Sequence, residues 1–305
     1  MYLSNNEFHI VLYMVEKSRL NRRDILKGIG ATASAASFTS VPVVAKGATN
    51  YNRLNRARGS EYVRSILTEL NYPKLKLEGS QEYEIEGSDG KTLQVAEFST
   101  LYGMLYYVES ENTDTGAIFR FSDEKLSSID RSQLPERYQS LPSGTNAVLL
   151  GRTSDVVFRR NATDGEQAVV EKVDGVVADD AAVVTGTDIS GYKVLHSKDT
   201  DSETLQTVVV DEGISFTPMK SMADQLSAER LSVQDQIGAQ WHNSCVLPCG
   251  GCVGSVGGCW QCSPACIDAP TGIGAVDCAV CLYLICHGAL IAACGGCAHC
   301  VGQYV

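Results

Sequence analysis

Glu82-Tyr83-Glu84-Ile85-Glu86-Gly87-Ser88-Asp89-Gly90-Lys91-Thr92-Leu93-Gln94-Val95-Ala96-Glu97-Phe98 carries the reading of the fold. Glu82 to Glu86 alternates polar and apolar residues at period two, as a half-buried strand does. Ser88-Asp89-Gly90 supplies a hairpin turn, and Leu93 to Phe98 returns as a second strand. Lys74 to Leu77 alternates in the same way just before it. Further strand candidates are Met104 to Val108, Ala117 to Phe121, Val156 to Arg159, Ala168 to Val173, Lys193 to His196 and Leu205 to Val210. Asp164-Gly165 and Asp174-Gly175 punctuate two of them. The expectation is an α+β domain that is mostly antiparallel β.

Upstream, the sequence predicts a helix from Ser60 to Tyr72. Ser60 is a suitable N-cap, Val63, Ile66, Leu67 and Leu70 share one face, and Pro73 stops the helix. A second helix is expected from about Met219 to Ile237, with Met222, Leu226, Val233 and Ile237 on one side.

Further upstream, Asn21-Arg22-Arg23-Asp24-Ile25-Leu26-Lys27 reads as a twin-arginine export signal. A weakly apolar stretch follows, and Val43-Val44-Ala45 places small residues for signal cleavage after Ala45. Met14 is an alternative start, since residues 1–13 add nothing a signal needs. Export through this route places the protein outside the cell, where disulfides persist.

The chain holds 36 acidic residues against 25 Lys and Arg. Without residues 1–45 the net charge is −13, nearly all of it within 46–244. That balance lacks the basic footprint that nucleic acid requires. An acidic surface on an exported protein suits a high-salt organism, because at about 1 M salt the Debye length is only about 3 Å. Residues 46–244 show no histidine pair for a metal, no phosphate loop and no nucleophile elbow. The reading is therefore non-enzymatic and without a cofactor. Asn161-Ala162-Thr163 forms a glycosylation sequon, a triplet common by chance.

All twelve cysteines lie between position 245 and the C-terminus, a density well above the level that marks a disulfide scaffold or metal site. They are Cys245, Cys249, Cys252, Cys259, Cys262, Cys266, Cys278, Cys281, Cys286, Cys294, Cys297 and Cys300. This tail has no Lys or Arg and only two acids, Asp268 and Asp277. Three chemistries can use such spacing. An even number of cysteines in a segment too short for a large core points to disulfides. Five C-x-x-C steps keep a thiolate metal site open, with His287 and His299 as the only added ligands. Thiol exchange normally needs a thioredoxin-like setting. Cys278 to Ala293 reads as an uncharged helix, shorter than a membrane span, that belongs to a stapled core or lies at a membrane interface.

The arrangement resembles the precursors of cysteine-rich microhalocins, peptide antibiotics of haloarchaea of the halocin C-eight type. The resemblance rests on Arg22-Arg23 with its leader, the acidic cysteine-free middle, and the tail with Cys249-x2-Cys252-x6-Cys259, Cys262-x3-Cys266 and the apolar Cys281 to Cys286 segment. It implies a secreted peptide, released by proteolysis, that inhibits competing cells and acts on a target-cell membrane or surface component. The preceding part would accompany it as propeptide or immunity partner. The expected organisation is a signal peptide at 1–45, an acidic α+β domain at 46–235 and a small disulfide-rich, partly helical domain at 236–305. The alternatives are an extracellular zinc or iron-sulfur module and a surface protein with a stapled cap.

Overall fold

The computed structural model describes residues 51–86, 92–110, 113–176, 181–199 and 202–237, together with Pro264. Two short helices, α1 (Tyr51–Gly59) and α2 (Glu61–Glu69), come first. Then come β1 (Lys76–Glu86), β2 (Thr92–Ser99), β3 (Gly103–Ser110) and β4 (Thr113–Phe121). Helix α3 (Asp123–Ser128) and two 3₁₀ turns, Arg131–Gln133 and Glu136–Tyr138, lead to β5 (Ala147–Gly151) and β6 (Val156–Asn161). Helix α4 (Asp164–Val170) precedes β7 (Ala182–Gly186), β8 (Gly191–Asp199) and β9 (Ser202–Val210). A 3₁₀ turn at Ala228–Arg230 opens into β10 (Leu231–Ile237).

The ten described strands form one antiparallel sheet in strict sequence order, β1 to β10. The class expected from the sequence, a largely antiparallel sheet with a few helices, is therefore present. The opening hairpin pairs as read, Ile85 with Leu93 and Tyr83 with Val95. Its turn, residues 87–91, lies outside the described residues. Lys74 to Leu77 and Glu82 to Glu86 are not two strands. From Lys76 onward they form one strand, with a register shift between Lys76 and Gln81.

Helix α2 forms where the periodicity placed it. Val63, Ile66 and Leu67 are buried, and so is Leu70 at its C-cap. The helix lies over β4, β5 and β6. Gly151 makes the approach possible: a Cβ there would sit 2.4 Å from the carbonyl oxygen of Tyr62. The Ser60 hydroxyl makes no capping bond, although the residue holds the N-cap position. It is buried instead, and its backbone N–H donates to the carbonyls of Arg56 and Ala57 at the end of α1. The C-terminus closes with Asn71 and Tyr72 both left-handed, φ 57° and 53°, and the Tyr72 N–H reaching the Leu67 carbonyl at 2.6 Å.

Two expectations are corrected. Ala168 to Val173 is not a strand. Residues 164–170 form α4, because Thr163 and Glu166 make a capping box that starts a helix there. Met219 to Ile237 is not a helix. It is a turn-rich loop, a 3₁₀ turn and then β10. Met222 and Leu226 are buried as plugs against the sheet rather than as a helix stripe.

Two apolar clusters occupy one face of the sheet. The first joins α1, α2 and α3 to Phe98, Leu105, Tyr107, Phe119, Leu149 and Phe158. The second joins α4, Met222 and Leu226 to Val183, Tyr192, Val194 and Val208. All four described helices therefore contribute to the same face.

Candidate functional site

Arg22, Arg23, Ala45 and all twelve cysteines lie outside the described residues, as does the helix read at Cys278 to Ala293. Among the described residues no group of His, Cys, Asp and Glu could hold a metal ion, and no helix is long and apolar enough to cross a membrane. What the described residues do contain is two ionic networks, each built on a buried carboxylate, and a second apolar face.

Arg160 at the end of β6 and Glu166 in α4 are both fully buried. Arg160 uses every donor it has. Nη1 and Nη2 donate to the two carboxylate oxygens of Glu166 at 2.7 and 2.8 Å, a bidentate pair. Nη1 also donates to the Asn161 carbonyl, Nη2 to that of Lys220 and Nε to that of Pro218. Glu166 further accepts from the backbone N–H of Thr163 and Met222 and from the Tyr192 hydroxyl. Burial alone would push this carboxyl up. The Arg160 guanidinium and the two backbone donors outweigh it and hold it below the ordinary glutamate range. Burial, with Glu166 alongside, pushes the Tyr192 phenol up.

A carboxylate with every lone pair occupied and a guanidinium with every N–H occupied are structural. The network ties β6, α4, β8 and the loop from Pro218 to Met222 into one unit. Thr163 belongs to it, with its hydroxyl on Glu166 and within 3.3 Å of the Ser221 hydroxyl. The sequon threonine is therefore a helix cap. Thr163→Ala should lower stability by about 1 kcal/mol, read as a drop in the urea midpoint at unchanged slope. The pattern Thr163-x-x-Glu166 was visible in the sequence and is the signal that would have placed α4.

Glu109 on β3 anchors the second network, its side chain 1 % exposed. It accepts from Nε of Arg53, from Nε and Nη2 of Arg56, and from the Tyr107 hydroxyl. Arg53 also donates to Glu82 at 2.6 Å and to Gln94. The two arginines sit one turn apart on α1, so they reach the sheet together. The first described helix is thus pinned across β1, β2 and β3 through charge-assisted bonds. Apolar contacts of Leu54 and Ala57 add to this.

The opposite face of the sheet follows from register, since directly paired residues share a face. Val95 pairs with Val108, Tyr106 with Ile118, and Ile118 with Leu150. Leu150 pairs with Val157, Asn161 with Val184, and Ala182 with Leu195. The apolar surface therefore runs from β2 to β8. Val95, Val108, Leu150 and Val184 have no exposure, Ile118 2 % and Leu195 7 %. Glu97, Arg120 and Lys193 stand among them, half-buried. Burial and the Glu97 carboxylate push the Tyr106 phenol up to about 12, against the Arg120 guanidinium. This face was missed in the sequence because β5 and β7 lack alternation. Their continuous apolar runs, Ala147 to Leu150 and Ala182 to Val184, were the signal: strands covered on both faces read that way.

No protein-family model, curated protein or solved structure matches this chain.

Proposed function

We propose that the chain is the exported precursor of a disulfide-rich antimicrobial peptide, halocin-like, carried at the C-terminus. The acidic β domain serves it as propeptide or immunity partner. The observation that carries this reading is segregation: twelve cysteines and no Lys or Arg from Cys245 to Val305, behind a domain with no cysteine. Arg22-Arg23 and the leader to Ala45 assign the product to the extracellular space. Cross-linked apolar peptides keep their driving force in molar salt, where charge attraction is screened. The target is a membrane or surface component of a competing cell, and the tail's own upstream domain is its first partner.

Strand β10 ends at Ile237, so release between 238 and 244 leaves the sheet whole, whereas a cut within 232–237 would remove an edge strand. Intact-mass analysis of culture supernatant should find a species that begins between 239 and 245 and runs to Val305. It should lie about 12 Da below the reduced peptide, two hydrogens for each of six bridges. Finding only full-length protein, together with a peptide that inhibits no strain, would sink the proposal. The five C-x-x-C steps favour a second reading, an extracellular metal-binding module. Elemental analysis separates the two: near-stoichiometric zinc or iron, with free thiols after chelation, selects the metal.

A further inference from the structure

We infer that the helix-free face of the sheet, from β2 to β8, is the seat of the cysteine-rich tail, residues 238–305. This rests on the proposed reading of the chain as a carrier with its cargo, and it adds where the two meet.

An apolar strand side chain with nothing over it stays in contact with water. Val95, Val108, Ile118, Leu150, Val184 and Leu195 are nevertheless 0 to 7 % exposed. All four described helices contribute to clusters on the other face. Two segments outside the described residues are long enough to serve. The leader segment is removed at Ala45 under the proposed reading, which leaves residues 46–50 before α1. The tail, 238–305, begins where β10 stops and outlasts every other segment beyond the described residues once the leader has gone. At that edge Ile237 pairs with Leu205, and Leu205 sits beside Leu195 in the register of the second face. The tail therefore starts on the rim of the surface it would cover. Pro264, the one described residue within it, is buried.

Size agrees. Six strand spacings of about 4.8 Å make the β2-to-β8 surface about 29 Å wide. A compact segment of about 70 residues has a radius of gyration of about 11 Å, hence a breadth close to that width. Chemistry agrees too. The tail has no Lys or Arg to desolvate, and the charged residues among the apolar ones, Glu97, Arg120 and Lys193, are each half-buried. Arg159, on the same face, is already held by Asp188.

The seat gives the domain its role as propeptide. In the precursor it keeps the apolar tail out of solvent and away from membranes.

Photo-crosslinking on the intact chain tests this. A benzophenone amino acid replaces Tyr106, an aromatic position on the second face, and in a second variant Tyr62, on the helix face. Position 106 should label peptides from 238–305, and position 62 should lose that label. Circular dichroism matching the parent shows that each variant has folded. Labels from 106 that fall only in residues 1–50, within 51–237, or in a product of twice the mass would overturn the seat. Antimicrobial assay of the released tail separates the two claims. Crosslinks with an inactive peptide sink the functional reading alone, and an active peptide without them sinks the seat alone.

Discussion

Glu166→Ala is expected to destabilise the β domain by about 3–5 kcal/mol, because it strands a fully buried guanidinium. Arg160 would keep its three carbonyl acceptors, from Pro218, Asn161 and Lys220, but lose both carboxylate bonds. The backbone N–H of Met222 and the Tyr192 hydroxyl would lose an acceptor at the same time. The double variant Arg160→Met with Glu166→Leu should recover much of the loss, since removing both partners leaves no uncompensated charge. The measurement is the guanidinium-chloride midpoint of the full chain for all three proteins. A midpoint for Glu166→Ala equal to the parent's would contradict the network as described.

The same pair sets an acid limit. The folded carboxyl titrates below its ordinary value of 4.5. Its contribution is thus complete above that pH and is lost as pH falls through the lower, folded value. The parent should lose stability more steeply than Glu166→Ala below about pH 4.5. Above it the two should run parallel.

Phe158→Ala is expected to cost about 3–5 kcal/mol through a cavity beneath α2. Phe158 is fully buried on β6, paired with Leu149, its ring 5.6 Å from that of Tyr138. Tyr138 stands 5.4 Å from Phe121, which meets Phe119 edge-on at 5.1 Å. The Tyr138 hydroxyl donates to Glu69 on α2 at 2.7 Å, and burial, with Glu69 alongside, pushes its phenol up. Removing one ring therefore loosens sheet, turn and helix together. The melting temperature should fall by on the order of 10 °C. Phe158→Leu, which keeps most of the volume, should cost about 1 kcal/mol. Equal losses for Ala and Leu would mean that the site does not pack as described.

Where one face alone was apolar, the sequence was readable. Glu82 to Glu86 alternates, with Glu82 and Glu84 half-buried, and Val63 to Leu70 repeats at helical spacing because one side of α2 meets the sheet. Reading failed where burial removed the contrast. β5 and β7 are covered on both faces, so no period remains to detect. At Ala168 to Val173, β-branched and apolar residues suggested a strand, and the capping box just upstream overrode them. At Met219 to Ile237, four apolar residues at helical spacing were misleading. The loop there is organised by Arg160 capturing the Pro218 and Lys220 carbonyls, a contact between distant parts of the chain that no local pattern announces. The cysteines were the plainest signal of all, and they announce chemistry rather than position.

Strict sequential strand order carries a consequence for timing. For its pairing, each strand needs only the strand made just before it. Hairpins close in about 1–10 μs. Synthesis adds about 5–20 residues per second. The sheet can therefore be finished once Ile237 has been added, well before synthesis reaches Val305. The cysteines arrive last, when their neighbour already has a shape. On the proposed reading, bridge formation in the tail then begins beside a finished domain.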